Sequence, residues 1–568
     1  MCGIAGIIGS LSDRERKLDA MLNAQQHRGP DHTEKYSSSD IALGHNRLSI
    51  IDLSAAAHQP FFSTDNRYVL VFNGEIYNYK ELKKRLESRY TFTTSSDTEV
   101  LLAAYIVWGC DCLHHLNGMF SFAVWDNTEQ EFFAARDRFG VKPFYYYIQE
   151  RSVIFASEIK SLFAAGVDRE PWLEVWSGYM TRGDYGAPDQ TFWKGIQQLP
   201  GGHYMTIKNS KPVIKQWYNF TERVLLEEQS MPFKEAKSHY LNLLEESIEL
   251  RFRADVPVGF NLSGGLDSST LLAMVNSIHG GKNVNAFTFY TGDDRYDELK
   301  WVKQLISTTG NPLHTIKMTA ADVPELAQQM SNMQDEPYGG FPTLAYGKLF
   351  KHARELGVKV LLDGQGMDEQ WAGYDYYNKA GSKAVIQGLS KSPFRLNVLD
   401  DEFVALSRKR NYPKPFNNDV LDTQYRDLFY NKIPRALRFN DRVSMAASTE
   451  LREPFLDYRL VEFAFSQPLD YKINNGVQKY LVRELMKPYM NNSISLAPKR
   501  PLQTPQREWL GEDLKDWVYD VLNSTAGMPF INKSSMLKEL EMYMKGDRDS
   551  SFHIWQWINM SLLFTKQG

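Results

Sequence analysis

Cysteine is scarce. Cys2, Cys110 and Cys112 are the only three in 568 residues, which excludes a disulfide-built scaffold and suits a reducing compartment. No run of about 18 apolar residues occurs, so no membrane-spanning helix is expected. The N-terminus carries neither a basic n-region nor a cleavage-site pattern. Charge of one sign is missing too: 65 Lys+Arg face 69 Asp+Glu, a formal net charge of −4, which is not the footprint of a nucleic-acid binder. Internal repeats and low-complexity tracts are absent. What remains is ordinary globular composition, 43% hydrophobic and 24% charged, with 13% aromatic residues, enough for a large core and aromatic-lined clefts. The expectation is a cytoplasmic multidomain enzyme with neither nucleic acid nor membrane as partner.

Residues 1–215 and 216–568 differ in character. The first segment is strand-rich: "CGIAGIIG", "GMFSFAVWD" (118–126) and "SVIFASE" (152–158) read as strands, and "RYVLVFNGEIYN" (67–78) is β-rich up to Phe72 and then turns at Asn73-Gly74. Helical patches over Lys80–Ser88 and Thr98–Trp108 interrupt them without strict βαβ alternation, which predicts an α+β layered domain. A charged stretch ending at Pro232 marks the linker, and Glu235–Phe252 carries helical periodicity. Beyond it, "VPVGFNL" (256–262), "VNAFTFYT" (284–291) and "VKVLLDG" (358–364) are strands, the first entering "SGGLDSS" and then a helix. Strand, glycine-rich loop and helix in that order predict a parallel sheet with its site at the strand C-termini. Residues 400–568 read as mostly helical.

Cys2 follows Met1, and removal of Met1 would leave a thiol beside a free α-amine, the arrangement of an N-terminal nucleophile. "HRGPD" (27–31), "GHNRLSIIDLS" (44–54), "FNGEIYN" (72–78) and "SSDTEV" (95–100) follow it. Over about 160 residues this pattern resembles the class II glutamine amidotransferases. The resemblance implies an Ntn-type αββα sandwich in which Cys2 attacks the glutamine amide. It makes Asn73 and Gly74 the oxyanion donors, Arg47 the clamp on the substrate carboxylate, and Glu75 and Asp97 the acceptors of its α-ammonium. Leu48, Ile50 and Ile51 complete the glutamine pocket. Taken singly, Asn73-Gly74 also reads as a plain turn, and Arg47 and Asp97 as surface charges. Cys110 and Cys112 match no motif and are too close together for common zinc spacing, so both read as structural.

"SGGLDSS" (263–269) has glycines that let backbone N–H groups approach a phosphate, and it lacks the G-K-[ST] of a Walker loop. It matches the pyrophosphatase loop (PP-loop) of enzymes that form adenylates. With "VKVLLDGQGMDEQWAGYDYY" (358–377) and "RFNDRVSMAASTELREPFLD" (438–457), the whole chain resembles the glutamine-dependent asparagine synthetases. That resemblance implies an α/β PP-loop domain of the adenine nucleotide α-hydrolase type with helical additions. ATP and pyrophosphate would meet Asn261, Leu262, Ser263, Gly264, Gly265, Asp267, Ser268, Ser269, Phe289, Asp363, Gly364 and Lys499, and Asp267 and Asp368 would hold Mg²⁺. Phe289 reads equally well as core. The family also implies an internal ammonia tunnel, for which Met119, Ala446 and Ala447 are wall candidates as well as core candidates. Homodimers are common in it.

The chain departs from the family where Asp363-Gly364-Gln365-Gly366-Met367-Asp368-Glu369 replaces S-G-E-G-S-D-E. Gln365 stands at the position of the glutamate assigned to the acyl-adenylate step, and an amide cannot accept a proton as a carboxylate does. Glu369 or the departing phosphate would then be the base. "KRPLQTP" also lacks the family's Gly-Phe pair. Glutamine and ATP are the implied substrates, and aspartate is the expected acceptor. The alternative is another carboxylate, such as a uronic acid of a surface glycan. A non-catalytic homologue would be expected to have damaged sites, yet Cys2, Arg47, Asn73, Asp97, Asp267, Asp368 and Lys499 are all present.

Overall fold

The computed structural model describes every residue except 1, 151, 209–210, 227–230, 281–283, 379–391, 498, 500–502, 525–529 and 565–568. Part of the expected linker (227–230) and part of "KRPLQTP" (500–502) therefore lie outside the described residues. Twelve strands form the first unit: β1 (Gly3–Ile8), β2 (His32–Ser37), β3 (Ile41–Arg47), β4 (Phe61–Phe62), β5 (Tyr68–Ile76), β6 (Gly118–Asp126), β7 (Glu131–Arg136), β8 (Tyr145–Gln149), β9 (Ser152–Ala156), β10 (Ile196–Gln198), β11 (His203–Lys208) and β12 (Lys211–Gln216). They make two antiparallel sheets, ordered β10-β8-β9-β1-β3-β2 and β12-β11-β7-β6-β5-β4.

Side-chain alternation explains the layering. Ile4 and Ile8 of β1, Leu43 of β3 and Val69 and Val71 of β5 meet in the core between the sheets. Their neighbours face outward: Ala5 and Ile7 pack on the helices Arg14–Ala24 and Ile159–Ala164, and Leu70 and Phe72 pack on Tyr79–Leu86 and Asp97–Trp108. The result is the expected αββα sandwich. The same parity positions the chemistry. Continuing the inward-facing positions along β1, β3 and β5 arrives at Cys2, Arg47, and Asn73 and Glu75, all at one end of the sandwich.

The second unit is a parallel sheet, β15-β14-β13-β16-β17, built from β13 (Val258–Asn261), β14 (Ala286–Tyr290), β15 (Leu313–Lys317), β16 (Val360–Leu362) and β17 (Glu450–Arg452). The helices Phe233–Arg251 and Leu266–His279 cover one face through Tyr240, Leu244, Leu271 and Val275, against Phe260 and Leu362. The helix Phe341–Glu355 covers the other through Leu344 and Leu349, against Phe287 and Leu361. Among the described residues no helix is long and apolar enough to cross a membrane.

Three local expectations are corrected. Asn73 and Gly74 form no turn: β5 runs through them, with Asn73 opposite Ser121 and Gly74 opposite Phe120. The segment 438–457 is helical only to Met445 and then supplies β17, because Glu450–Arg452 pairs in register with Val360–Leu362. Cys112 is buried in the core, but Cys110 is exposed and supports nothing.

At Gly74 the backbone has φ 153°, and a Cβ there would overlap the Met119 carbonyl oxygen and lie 2.7 Å from Phe120 Cα. Glycine is thus required by the close approach of β6. Gly74→Ala is expected to cost about 3 kcal/mol through overpacking, read as a lowered denaturation midpoint with an unchanged far-UV spectrum.

Candidate active site

At the open end of the sandwich the Cys2 backbone nitrogen donates to Asn73 Oδ1 at 3.0 Å. That bond fixes the amide and leaves Asn73 Nδ2 with only a long 3.4 Å contact to Ser157 Oγ, free to donate to a developing oxyanion. Burial pushes the Cys2 thiol up, against the pull of Arg47. Arg47 is buried, and its guanidinium donates to the carbonyls of Ser54 at 2.8 Å and Asp52. Among the described residues no carboxylate pairs with it. A buried guanidinium held only by neutral acceptors has charge left with which it could pair a carboxylate.

Glu75 and Asp97 supply the opposite charge. Asp97 Oδ2 accepts from Ile76 N at 2.9 Å, and burial raises its pKa to about 6. Glu75 is pushed well up by burial and by its neighbours Glu450 and Asp97. Arg452, on β17 of the second unit, lies 3.6 Å from Glu75 and 2.5 Å from Glu450. Glu75, Asp97 and Glu450 gather around Arg452; Lys142 also acts on Glu450, while Glu75 and Asp97, both raised, would gain from a further cation. Leu48, Ile50 and Ile51 are buried beside them on the segment that follows Arg47.

The second site opens at the C-terminal ends of β13 and β16. A cavity of about 160 Å³ is lined by Ser263, Gly264, Gly265, Asp267, Ser268, Asp363, Gly364, Gln365, Asp368 and Lys499, which brings most of the expected residues together. Ser263 and Ser268 hydroxyls bond at 2.9 Å, and Gly264 N donates to Glu298 Oε2 at 3.2 Å, so the loop is held by its own hydroxyls and by the start of the helix Leu299–Thr309. No side chain caps the helix Leu266–His279, whose first turn points its N–H groups at the cavity. Asn261, Leu262 and Ser269 are buried behind the lining. Phe289 stacks edge-on against Tyr346 at 5.5 Å, and Tyr346, not Phe289, faces the cavity.

Lys479 was not anticipated from the sequence. Its ammonium lies 2.5 Å from both Asp267 and Asp368, and Lys499 holds the other oxygen of Asp368. These two lysines, despite its burial, hold the Asp368 carboxyl well below the usual range. Lys479 sits in the left-handed region, φ 54°, at the start of the helix Tyr480–Met486. A side chain at Gly373 would overlap both Asp368 and Lys479. Glu369 lines the same cavity as Gln365; burial and the adjacent Asp368 raise it to about 7, and Tyr374 donates to it at 2.8 Å. Ala446 and Ala447 line a separate cleft with Met330 and Gly347, whereas Met119 is buried in an apolar cluster that runs from the first unit into the second, to Val360 and Met445.

Buried charge joins the two units. Arg28 donates to the Cys2 carbonyl at 3.0 Å, to Glu158 at 2.9 Å, and through both terminal nitrogens to Asp441 at 2.8 and 3.2 Å. Asp441 lies on the helix Lys432–Met445, whose Asn440 reaches Asp363 at 3.4 Å.

The fold and its sites define the class. Residues 1–218 match the glutamine amidotransferase domain, so the sandwich bearing Cys2 is one, here joined to a unit with a phosphate-binding loop. Residues 239–565 match the asparagine synthase family, and the chain belongs to that family. It is 29% identical to asparagine synthetase [glutamine-hydrolyzing] 3 of Bacillus subtilis, over 91% of this chain and 89% of that protein. It is 30% identical to a putative asparagine synthetase [glutamine-hydrolyzing] of Mycobacterium tuberculosis, over 98% and 95%. It is also 28% identical to amidase chyE of Penicillium rubens, over 90% of each.

Removing Arg28 leaves Asp441 buried without its guanidinium, while Glu158 keeps His27 and Lys160. Arg28→Met is expected to cost about 3–5 kcal/mol. Combining it with Asp441→Leu is expected to cost less than the sum of the single changes by about 1 kcal/mol or more, read from denaturation midpoints of the four proteins.

Proposed function

We propose that the protein is a glutamine-hydrolysing asparagine synthetase, converting glutamine, ATP, aspartate and water to glutamate, AMP, pyrophosphate and asparagine. The observation that carries this reading is the pair of complementary sites in one chain. One is a buried cysteine between a carbonyl-held guanidinium and an excess of buried carboxylates. The other is a glycine loop and helix N-terminus facing two lysines. The first suits an α-amino acid with an amide side chain, and the second a polyphosphate.

In the first site, Cys2, freed of Met1, attacks the glutamine amide. Arg47 grips the α-carboxylate, and Glu75 and Asp97 take the α-ammonium. Asn73 Nδ2 and the Gly74 N–H stabilise the oxyanion, and water then hydrolyses the thioester. In the second, the loop 263–269 and Lys479 and Lys499 hold the leaving pyrophosphate while the acceptor carboxylate attacks the α-phosphorus. Mg²⁺ fits here as hard-donor chemistry: the carboxylates of Asp267 and Asp368 converge within 2.5 Å of one point, now taken by the Lys479 ammonium. Bound with ATP, Mg²⁺ would neutralise charge on the departing pyrophosphate. Ammonia then displaces AMP. Gln365 cannot take the proton that ammonia must lose, and Glu369, on the same cavity wall with a pKa near 7, is assigned that role. Held close together and away from bulk water, the acyl-adenylate is protected from hydrolysis. The three unpaired cysteines suit a cytoplasmic setting.

Supplied with glutamine, ATP, Mg²⁺ and aspartate, the purified protein is expected to form asparagine, AMP and pyrophosphate in equal amounts. This should depend on Cys2 with glutamine but not with added ammonia. Glutaminase without aspartate-dependent pyrophosphate would overturn aspartate as acceptor and direct the search to other carboxylates. Ammonia-dependent synthesis, expressed per free NH₃, is expected to rise as pH increases through about 7, where Glu369 ionises. Glu369→Gln should remove that limb and slow the step by about 10²-fold or more.

A further inference from the structure

Outside both sites, His32, Glu34 and His58 bring together three ligand atoms that all lie within 4.8 Å of one another. We propose that these residues form a binding site for a transition-metal dication of the zinc type, at the lip of the glutamine pocket.

The placement follows from strand parity. His32 and Glu34 are alternate residues of β2, the outermost strand of its sheet, so both project from one face. His32 lies directly opposite Arg47 on β3, which puts the cluster on the face that carries the Arg47 guanidinium. His58 comes from the other side of the pocket lip. It follows the short 3₁₀ turn Ala55–Ala57, just past Ser54, whose carbonyl holds Arg47. Tyr36, two residues further along β2, meets Phe62 edge-on at 5.4 Å, so the chain from His58 to Phe62 lies along this strand face.

The ligand set is selective. The His32 and His58 rings stack with centroids 3.6 Å apart and planes 17° apart, and His32 Nε2 lies 3.2 Å from Glu34 Oε2. Two imidazoles and one carboxylate suit zinc and its neighbours better than magnesium or calcium, which prefer all-oxygen sites. Tetrahedral coordination at about 2.0–2.1 Å places ligand atoms about 3.3 Å apart. Coordination requires the two stacked rings to swing apart so that their nitrogen lone pairs converge, which the partial or full exposure of all three side chains allows. Three protein ligands leave a fourth position open to water. Glu34 supplies negative charge against the nearby Arg47.

An ion there ties β2 to the segment 48–58, which carries Leu48, Ile50 and Ile51 and the carbonyls that orient Arg47. The lip then opens less readily. This consequence rests on the proposed glutamine chemistry; the binding does not.

The test uses full-length, tag-free protein carrying Cys2→Ala and Cys110→Ser, which removes the pocket thiol and the exposed one, titrated with Co²⁺. Uptake of one ion per chain, with the visible absorption of low-coordinate Co²⁺ and displacement by Zn²⁺, is expected. His32→Ala and His58→Ala should each weaken it by about tenfold or more, with metal-free melting unchanged. No stoichiometric uptake, or uptake indifferent to both histidines, would overturn the site. In protein with Cys2 intact, Zn²⁺ at the concentration that fills the site should raise the KM for glutamine several-fold. His58→Ala should abolish that rise, and ammonia-dependent synthesis should not change. An unaltered KM in the metal-loaded protein would overturn the effect on the pocket.

Discussion

A guanidinium removed from water must have every donor met, and Arg28 is the residue on which this rule bears hardest. It is fully buried, and its partners come from three places: the nucleophile's own carbonyl, Glu158 at the end of β9, and Asp441 on a helix of the second unit. Separating the units would leave Arg28 with Glu158 but would strip Asp441 of its guanidinium and Arg28 of two of its hydrogen bonds. Arg452 repeats the device from the other side, reaching from β17 to Glu75 while donating to the carbonyls of Arg251 and Arg253. Two arginines thus make the junction a condition of both sites' geometry. Buried pairs of this kind add little net stability against an apolar alternative, but breaking one is costly. Their effect is to fix one relative placement of the units.

The two sites solve opposite electrostatic problems with the same economy. Around Cys2, the Arg47 guanidinium is held by neutral carbonyls, and buried acids gather beside it. Arg452 only partly offsets the acids, and among the described residues no carboxylate pairs with Arg47. In the second site, acids and lysines are already matched, Asp267 and Asp368 against Lys479 and Lys499. On the proposed reading, a zwitterion with both charges on one carbon would match the first. A polyphosphate entering the second must compete for lysines already engaged.

Much of this was legible in the sequence. The strand-and-loop order, the PP-loop and the residues around Cys2 are local patterns, and local patterns survive being read one segment at a time. What was lost was set by distant partners. Asn73-Gly74 is a frequent turn pair, but here β6 runs alongside, and only the crowding by the Met119 carbonyl shows why the glycine is needed within a strand. The strand Glu450–Arg452 is three residues long and follows a helix without a turn signal. Lys479 carries no motif: its role depends on two carboxylates more than 100 residues upstream, and sequence spacing cannot show that. Phe289 reads as core or ligand from sequence, and it packs edge-on against Tyr346, which lines the cavity.

The lysine clamp across Asp267 and Asp368 makes the second site its own counter-ion reservoir. While it is unliganded, its charges are matched internally and project little field into solvent, so stray inorganic anions gain little by entering. A polyanion that arrives with a divalent cation is different, because both halves can trade partners together: the ammonium groups pass to the phosphates as the carboxylates pass to the metal. Ion exchange of this sort selects for the composite ligand over either component alone, without requiring any contact to the base or sugar.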